Sequence, residues 1–519
     1  MEKTTILWAD DEIDLLKPHL LFLEAKGFEV TTTTNGDDAL ELVKKIDFDI
    51  IFLDENMPGK SGLKTLSQIK EIKADIPIVM ITKSEAEDIM EEAIGSQIAD
   101  YLIKPVNPNQ ILLCIKKNLE NKRLISEKTT SNYQQEFRNI GMSMGGKMNF
   151  AQWLDVYKKL VYWELELEKT QDPQMYEILI MQKREADIGF TKFIETNYMN
   201  WLKRPDNQTP ILSCNLMQAK VFPLVESSPE PVFMVLIDNL RYDQWKMIKP
   251  LISDYFKIDD EDAYCAILPT ATAYARNSIF SGLMPSEIEA RLPKWWSNDE
   301  EEGGKNLHEE DFLADQINRL RKNFKFTYTK ITNLNAGKNL IDNITNLLTY
   351  QLNVIVYNFV DILSHARTEM EVIRELADDE AAYRSITRSW FMHSPLFEAL
   401  KKIADKKVKL VITTDHGTIR VKEPVQITGE RNINSNLRYK QGKTLVYDKR
   451  QMFEVINPSD IFLPKQHIST RFVFARTNTF FVYPNNYNYY VNFYTNTFQH
   501  GGISLEEMII PVLQLSSKN

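Results

Sequence analysis

Apolar runs that end on an ionisable side chain or a hydroxyl constrain this chain more than any other feature. Residues 6–9 lead into Asp10-Asp11, 50–53 into Asp54, 76–81 into Thr82 and 101–103 into Lys104. Much later, residues 232–237 lead into Asp238, 353–359 are followed by Asp361 and His365, and 408–413 by Asp415-His416. Such runs, bounded by polar residues, read as buried strands of a parallel sheet. Helical spacing between them, as in 37–45 and 62–72, predicts doubly wound α/β sheets. In open α/β sheets ligands bind beyond the carboxyl ends of the strands, which is where these side chains fall.

The alternation breaks once. Residues 122–205 carry no strand pattern, and Phe150, Trp153, Leu154, Tyr157, Leu160, Val161 and Trp163 repeat at helical spacing. Asp172-Pro173 then supplies a capping residue and a proline at the first helical position. The expected organisation is an α/β domain over 1–121, a helical bundle over 122–205 that acts as spacer or transmitter, and a second α/β domain over 206–519. At 519 residues the chain has room for about two to four domains. The acidic tract 298–310 reads as a solvated loop, with a lid as the second reading. Residues 470–476, 479–484 and 489–494 read as short twisted strands.

A net charge of −10 argues against a duplex-DNA binder, which needs a basic face. Cys114, Cys214 and Cys265 cannot build a disulfide framework, and no apolar run is long enough to span a bilayer. The cytoplasm is the expected location.

At the N-terminal sheet, Asp10, Asp11 and Asp54 repel one another unless a hard cation joins them, and Mg²⁺ suits an all-oxygen site. Lys104 can pair with a phosphorylated aspartate and the Thr82 hydroxyl can bond its oxygens. Asp10-Asp11-Glu12, Asp54 with Met57-Pro58-Gly59, Thr82 and Lys104-Pro105 together resemble the receiver domain of two-component response regulators. The resemblance implies that Asp54 accepts a phosphoryl group from a sensor histidine kinase. It also implies that Asp10, Asp11 and the Asn56 carbonyl hold Mg²⁺, and that Thr82 and Tyr101 are switch residues.

The second set mixes three carboxylates with three imidazoles, a donor combination that favours zinc over magnesium. Chain order suggests Asp361, His365 and His500 on one ion, and Asp238, Asp415, His416 and the Thr272 hydroxyl on another. Asp361 and His365, four apart, share a face if the segment is helical. Two divalent ions against three carboxylates leave one positive charge, which favours an alkoxide and an incoming phosphate. A threonine hydroxyl is a poor nucleophile without metal activation. The helix expected to begin near Thr272 offers its N-terminus to an anion.

Pro269-Thr270-Ala271-Thr272, Asp361-x-x-x-His365, Asp415-His416-Gly417 and His500-Gly501-Gly502 resemble the alkaline phosphatase superfamily, and within it the PglZ domains. That resemblance makes Thr272, rather than Thr270, the nucleophile. Asn239 stands where a glycine often follows the first metal aspartate, and Arg276 also departs from the phosphodiesterase pattern, which puts substrate contacts in doubt. Receiver, bundle and PglZ domain in one chain resemble the PorX-type response regulators of bacteria with a type IX secretion system. The implied function is a zinc-dependent phosphodiesterase acting on nucleotide phosphodiesters, small signalling oligonucleotides or cyclic nucleotides among them. It would be controlled by phosphorylation and self-association at the face near Tyr101. The alternative is a zinc-stabilised adaptor for a secretion or transcription partner without significant catalysis.

Overall fold

The computed structural model describes residues 4–83, 98–170, 172–298, 304–377, 379–430 and 434–518, without the side chains of 120–127, 365–369 and 371–373. The His365 side chain and residues 299–303 of the acidic tract therefore lie outside the described residues. The chain divides into two compact units, 1–134 and 135–519.

The first unit holds β1 (Thr5–Ala9), β2 (Glu29–Thr33), β3 (Ile50–Asp54), β4 (Ile78–Thr82) and β5 (Asp100–Ile103). All pair in parallel, in the order β2-β1-β3-β4-β5. Period-two alternation splits each strand between two cores. Leu7, Ala9, Ile51 and Leu53 pack with Leu40, Val43, Leu66 and Ile69 on one face. Ile6, Trp8, Ile50 and Phe52 pack with Leu23, Ile111 and Ile115 on the other. The bulky Trp8 is accommodated there, 5.5 Å from the Phe52 ring. Local chemistry starts the helices: the Asn35 side chain caps Gly36–Lys45 and Ser61 caps Gly62–Ile72. This is the doubly wound receiver fold, with its topological switch point between β1 and β3.

The second unit opens on two long helices, Phe150–Thr170 and Pro173–Lys203, the latter capped by the Asp172 carboxylate with Pro173 in its first turn. They carry the apolar rows expected of a bundle, with Leu160, Leu167, Leu179, Phe190 and Ile194 buried. The six-stranded sheet that follows uses β6 (Val232–Ile237), β7 (Phe256–Cys265), β8 (Phe326–Ile331), β9 (Leu352–Tyr357), β10 (Lys409–Thr413) and β11 (Ile509–Ser517). Its order is β7-β11-β10-β6-β9-β8. Strands β10, β6, β9 and β8 are parallel, whereas β11 runs antiparallel to both neighbours. All six residues of β6 are buried, as a central parallel strand requires.

One sequence expectation is corrected here. Residues 489–494 are not a strand but part of the helix Tyr487–Tyr494. Aromatic residues favour strands only where a pleated neighbour exists. Here Tyr487, Val491 and Tyr494 pack instead on Ile419, Val421, Phe480 and Val482.

Glu164, on the first long helix, is buried between Lys183 (2.6 Å) and Arg384 (3.2 Å). Burial opposes its charge, but the two cations hold its carboxyl down at about 2, against an ordinary 4.5. A folded-state value below the unfolded one means stability that is complete above about pH 4.5 and lost as pH falls toward about 2. That shift corresponds to a contribution on the order of 3 kcal/mol. The expected result is that Glu164→Gln is less stable than wild type at pH 7 and that the gap narrows between pH 4.5 and 2, read by urea denaturation at each pH. A gap constant across that window would show that the ion pairs contribute nothing.

Candidate functional site

The first unit gathers its acids at the switch point. Asp10 follows β1 and Asp54 ends β3, and ligand atoms of Asp10, Asp11 and Asp54 lie within 4.8 Å of one another. The Lys104 Nζ sits 2.9 Å from both Asp10 Oδ2 and Asp54 Oδ2. Burial raises the Asp54 carboxyl above its ordinary range and Asp10 adds to the rise, against the pull of Lys104. Asp54 Oδ1 is buried with no hydrogen-bond partner among the described residues, while Asp11 reaches the surface. An inward oxygen beside a solvent-facing carboxylate fits a cation that keeps part of its water. Thr82 is buried at the end of β4, Tyr101 half-buried in β5, and Asn56 exposed just beyond β3.

In the second unit, Asp238 follows β6 and Asp415-His416 follow β10, its parallel neighbour. Ligand atoms of these three lie within 4.8 Å of one another. The helix Thr272–Ser281 delivers Thr272 Oγ1 to 3.0 Å from His416 Nε2. Nε2 is 4.0 Å from Asp238 Oδ1 and 3.9 Å from Asp415 Oδ2. A tetrahedral ion with ligands at about 2.0–2.1 Å separates its ligand atoms by roughly 3.3 Å, and the distances from Nε2 to the other three donors bracket that value. Tautomers agree with this. His416 Nδ1 is 3.1 Å from the Gly417 carbonyl, which can only accept, so Nδ1 carries the proton and Nε2 presents its lone pair. His500 Nδ1 is likewise 3.1 Å from the Thr270 carbonyl, turning Nε2 toward Asp361 Oδ1 at 3.8 Å. The His416 and His500 rings stack at 4.2 Å, so the two donor sets adjoin.

Arg276 holds the carboxylates in place. Its buried guanidinium bonds Asp415 Oδ2 at 2.9 Å and pairs with Asp238 Oδ2. Asp238 Oδ1 is left buried and without a hydrogen-bond partner among the described residues, an oriented lone pair that a cation would satisfy. Burial works against the guanidinium, yet Asp238 and Asp415 hold it well above its ordinary value. Burial also opposes the Asp415 charge, but Arg276 keeps that carboxyl low. Asp238 is pushed well up by burial against the pull of Arg276, with Asp415 and Asp361 adding to the rise. Arg276 thus adds a charge that the sequence-based count left out, and Glu309, 3.7 Å from its Nη1, offsets it. Asn239 is buried at φ 64°, a left-handed position that asparagine tolerates and glycine favours. Its amide reaches Asp361 at 3.4 Å and its backbone N–H reaches Asp415 at 3.4 Å. Both departures from the family pattern are therefore supports of the donor set.

Thr270 has a different task from Thr272. Its hydroxyl donates to the Gly502 carbonyl (2.9 Å) and accepts from the Gly501 N–H (3.0 Å), pinning the loop that carries His500. Gly501 takes φ 122°, and a Cβ there would meet the Tyr439 ring at 2.7 Å. A Cβ on Gly417 would strike the Glu506 carbonyl. Glu507 accepts from the Gly502 N–H (2.8 Å) and Ser504 Oγ (2.6 Å) and is gripped by the buried Arg438. The half-buried Thr272 opens into a cleft of about 630 Å³ shared with Asp361, His500, Lys305, Asn436 and Tyr439. The described part of the acidic tract reaches this cleft, where Asn306 bonds the Thr272 carbonyl at 3.0 Å. Arg276 stood out from sequence only as a departure from the family pattern; Glu309, in an acidic run, and Arg438 and Glu507, among polar neighbours, carried no local signal of a buried role.

Comparison with known proteins agrees with this architecture. Residues 6–116 match the response regulator receiver domain, 123–202 the PorX response regulator linker domain, and 216–515 the BREX system PglZ alkaline phosphatase-like domain. The chain is 32% identical over 142 residues to the transcriptional regulatory protein ZraR of Klebsiella oxytoca, covering 27% of this chain and 32% of that one. It is 32% identical over 114 residues to ResD of Bacillus subtilis, covering 22% and 47% respectively. It thus spans about a third and about half of these two relatives. The solved chemotaxis protein CheY4 of Vibrio cholerae is 28% identical, with 23% of this chain and 100% of that one covered and a TM-score of 0.22. With more than half its length matched by one family model and the receiver and linker models ahead of it, the chain belongs to the PglZ alkaline phosphatase-like family, in the arrangement of a PorX-type response regulator.

Proposed function

We propose that the PglZ domain of this response regulator is a zinc-dependent phosphodiesterase acting on nucleotide phosphodiesters. Its receiver would be phosphorylated at Asp54 by a sensor histidine kinase, and its output would regulate type IX secretion from the cytoplasm. The observation that carries the reading is the Thr272 hydroxyl, 3.0 Å from a histidine lone pair, beside two buried carboxylates and at the mouth of a large cleft. Asp238, Asp415, His416 and Thr272 would hold one zinc, and Asp361, His365 and His500 the other. When bound, the pair of ions supplies Lewis-acid polarisation of the phosphate and a lowered pKa for a coordinated hydroxyl. The N-terminus of Thr272–Ser281 favours the phosphate anion at the nucleophile. Arg276 and Asn239 fix the carboxylates so that none reorients as charge develops.

In the receiver, Asp10, Asp11, Asp54 and the Asn56 carbonyl would hold Mg²⁺. Lys104 is already placed to pair with a phosphorylated Asp54, and Thr82 and Tyr101 would report the change to a face that pairs two copies.

Arg276 favours a second reading. It pairs with both Asp238 and Asp415 without any metal, as a protein-binding adaptor with vestigial chemistry would need. One preparation separates the two. The full chain is expected to carry zinc, to hydrolyse a chromogenic phosphodiester, to lose that activity on chelation and to regain it with zinc. Beryllofluoride is expected to double its mass by light scattering at micromolar concentration. Bound zinc with no diester turned over would replace the enzyme with the adaptor, and an unchanged mass would remove the dimerisation switch.

A further inference from the structure

The helix Tyr487–Tyr494 has two faces of different character. Tyr487, Val491 and Tyr494 pack inward on the small apolar cluster beneath it. Tyr489 and Tyr490 stay 63% and 36% exposed. The outward rings are ordered along the helix: Tyr489 stacks on Phe493, and Tyr490 on the edge-of-cluster Tyr494, each at 6.0 Å and near-parallel. The rings do not end in an isolated patch. Phe493 and Tyr494 line the same cleft as Thr272, Asp361 and His500. A guanidinium from Arg374 lies 5.2 Å over Phe493, and Lys305 stands within the cleft. Aromatic faces beside cations, leading to a site for a phosphodiester, are the elements that single-stranded nucleic acids use, one ring per base and little sequence preference.

Resting on the proposed phosphodiesterase reading, we infer that Tyr489 and Tyr490, continued by Phe493 and Tyr494, form a base-stacking platform. It selects short single-stranded oligonucleotides whose scissile phosphodiester sits at Thr272. Two helical turns span only about 12 Å, enough for one or two bases beyond the reacting phosphate. The net charge of −10 sets this apart from a long duplex tract, which needs an extended basic surface. Continuity with the cleft favours a nucleotide over a protein segment as the occupant.

The test compares wild type with the Tyr489→Ala/Tyr490→Ala and Tyr489→Phe/Tyr490→Phe pairs in the full chain. Both tyrosines are surface residues, so the fold is expected to survive either change. The first readout is kcat/KM for a thymidine dinucleotide divided by that for methyl 4-nitrophenyl phosphate, which has no base. The second is the calorimetric Kd of a phosphorothioate-linked thymidine dinucleotide, which needs no turnover. The alanine pair is expected to lower the ratio, through KM, and to raise Kd by at least about tenfold, while the phenylalanine pair keeps both within about twofold of wild type. Equal Kd values for wild type and the alanine pair would overturn the platform, as would a phenylalanine pair as weak as the alanine pair. Wild type inactive on both diesters would sink the phosphodiesterase instead, and the Kd comparison would still decide the platform.

Discussion

Thr272→Ala is expected to lower kcat on a chromogenic phosphodiester by at least about 10³-fold, with zinc still bound. The size follows from what is lost. On the proposed mechanism the hydroxyl is the nucleophile, and no other described hydroxyl hydrogen-bonds His416 Nε2. Thr270 cannot substitute, because its oxygen is spent on the Gly501-Gly502 turn. Asp238, Asp415 and His416 stay in place, since Arg276 and the backbone hold them rather than Thr272. Rate and zinc stoichiometry are measured on one sample. Loss of both together would make Thr272 a structural ligand, and retention of rate would remove it from the chemistry. Thr272→Ser, which keeps the oxygen, is expected to retain far more activity than alanine.

Arg438→Met is expected to cost about 3–5 kcal/mol of stability, the range for breaking a buried pair from one side. Arg438 and Glu507 are both fully buried, with Nε–Oε1 at 3.1 Å and Nη2–Oε2 at 2.5 Å. The substitution leaves a carboxylate stranded in the interior. Because Glu507 also bonds the Gly502 N–H, the His500 loop is expected to loosen and zinc affinity to fall with stability. Adding Glu507→Gln to the methionine variant removes the stranded charge and is expected to restore part of the loss. Urea denaturation of wild type, both single variants and the double variant measures the coupling. Additive losses would show that the two side chains act independently.

Much of this fold was legible because its central strands are continuous apolar runs closed by the chemistry they position. Val232–Ile237 followed by Asp238 is the clearest case. What escaped lies at the margins. The edge strand Phe326–Ile331 largely alternates polar and apolar residues and the edge strand Phe256–Cys265 is interrupted by the acidic run 259–262, so both lack the signal of a buried run. The aromatic segment before Asn496 is rich in strand-forming residues, yet a surface for its 3.6-residue stripe decided for helix. Asp238, Asp415 and His416 could be grouped from sequence because metal-binding side chains advertise their type. The supports could not: Arg276 meets Asp415 139 residues away, and Arg438 meets Glu507 69 residues away. No local pattern says where such a partner is.

The antiparallel strand β11 lies between β7 and β10, second from one edge of its sheet, although every other strand precedes it in chain order. The five receiver strands are therefore synthesised by residue 103, but β7 stays unjoined from the four parallel strands that seat Asp238 and Asp415 until the final segment arrives. At translation rates of about 5–20 residues per second that interval is tens of seconds. Throughout it the N-terminal sheet is complete while β7 is still unjoined from the four parallel strands, so the order of synthesis makes the PglZ domain the last part of the chain to close.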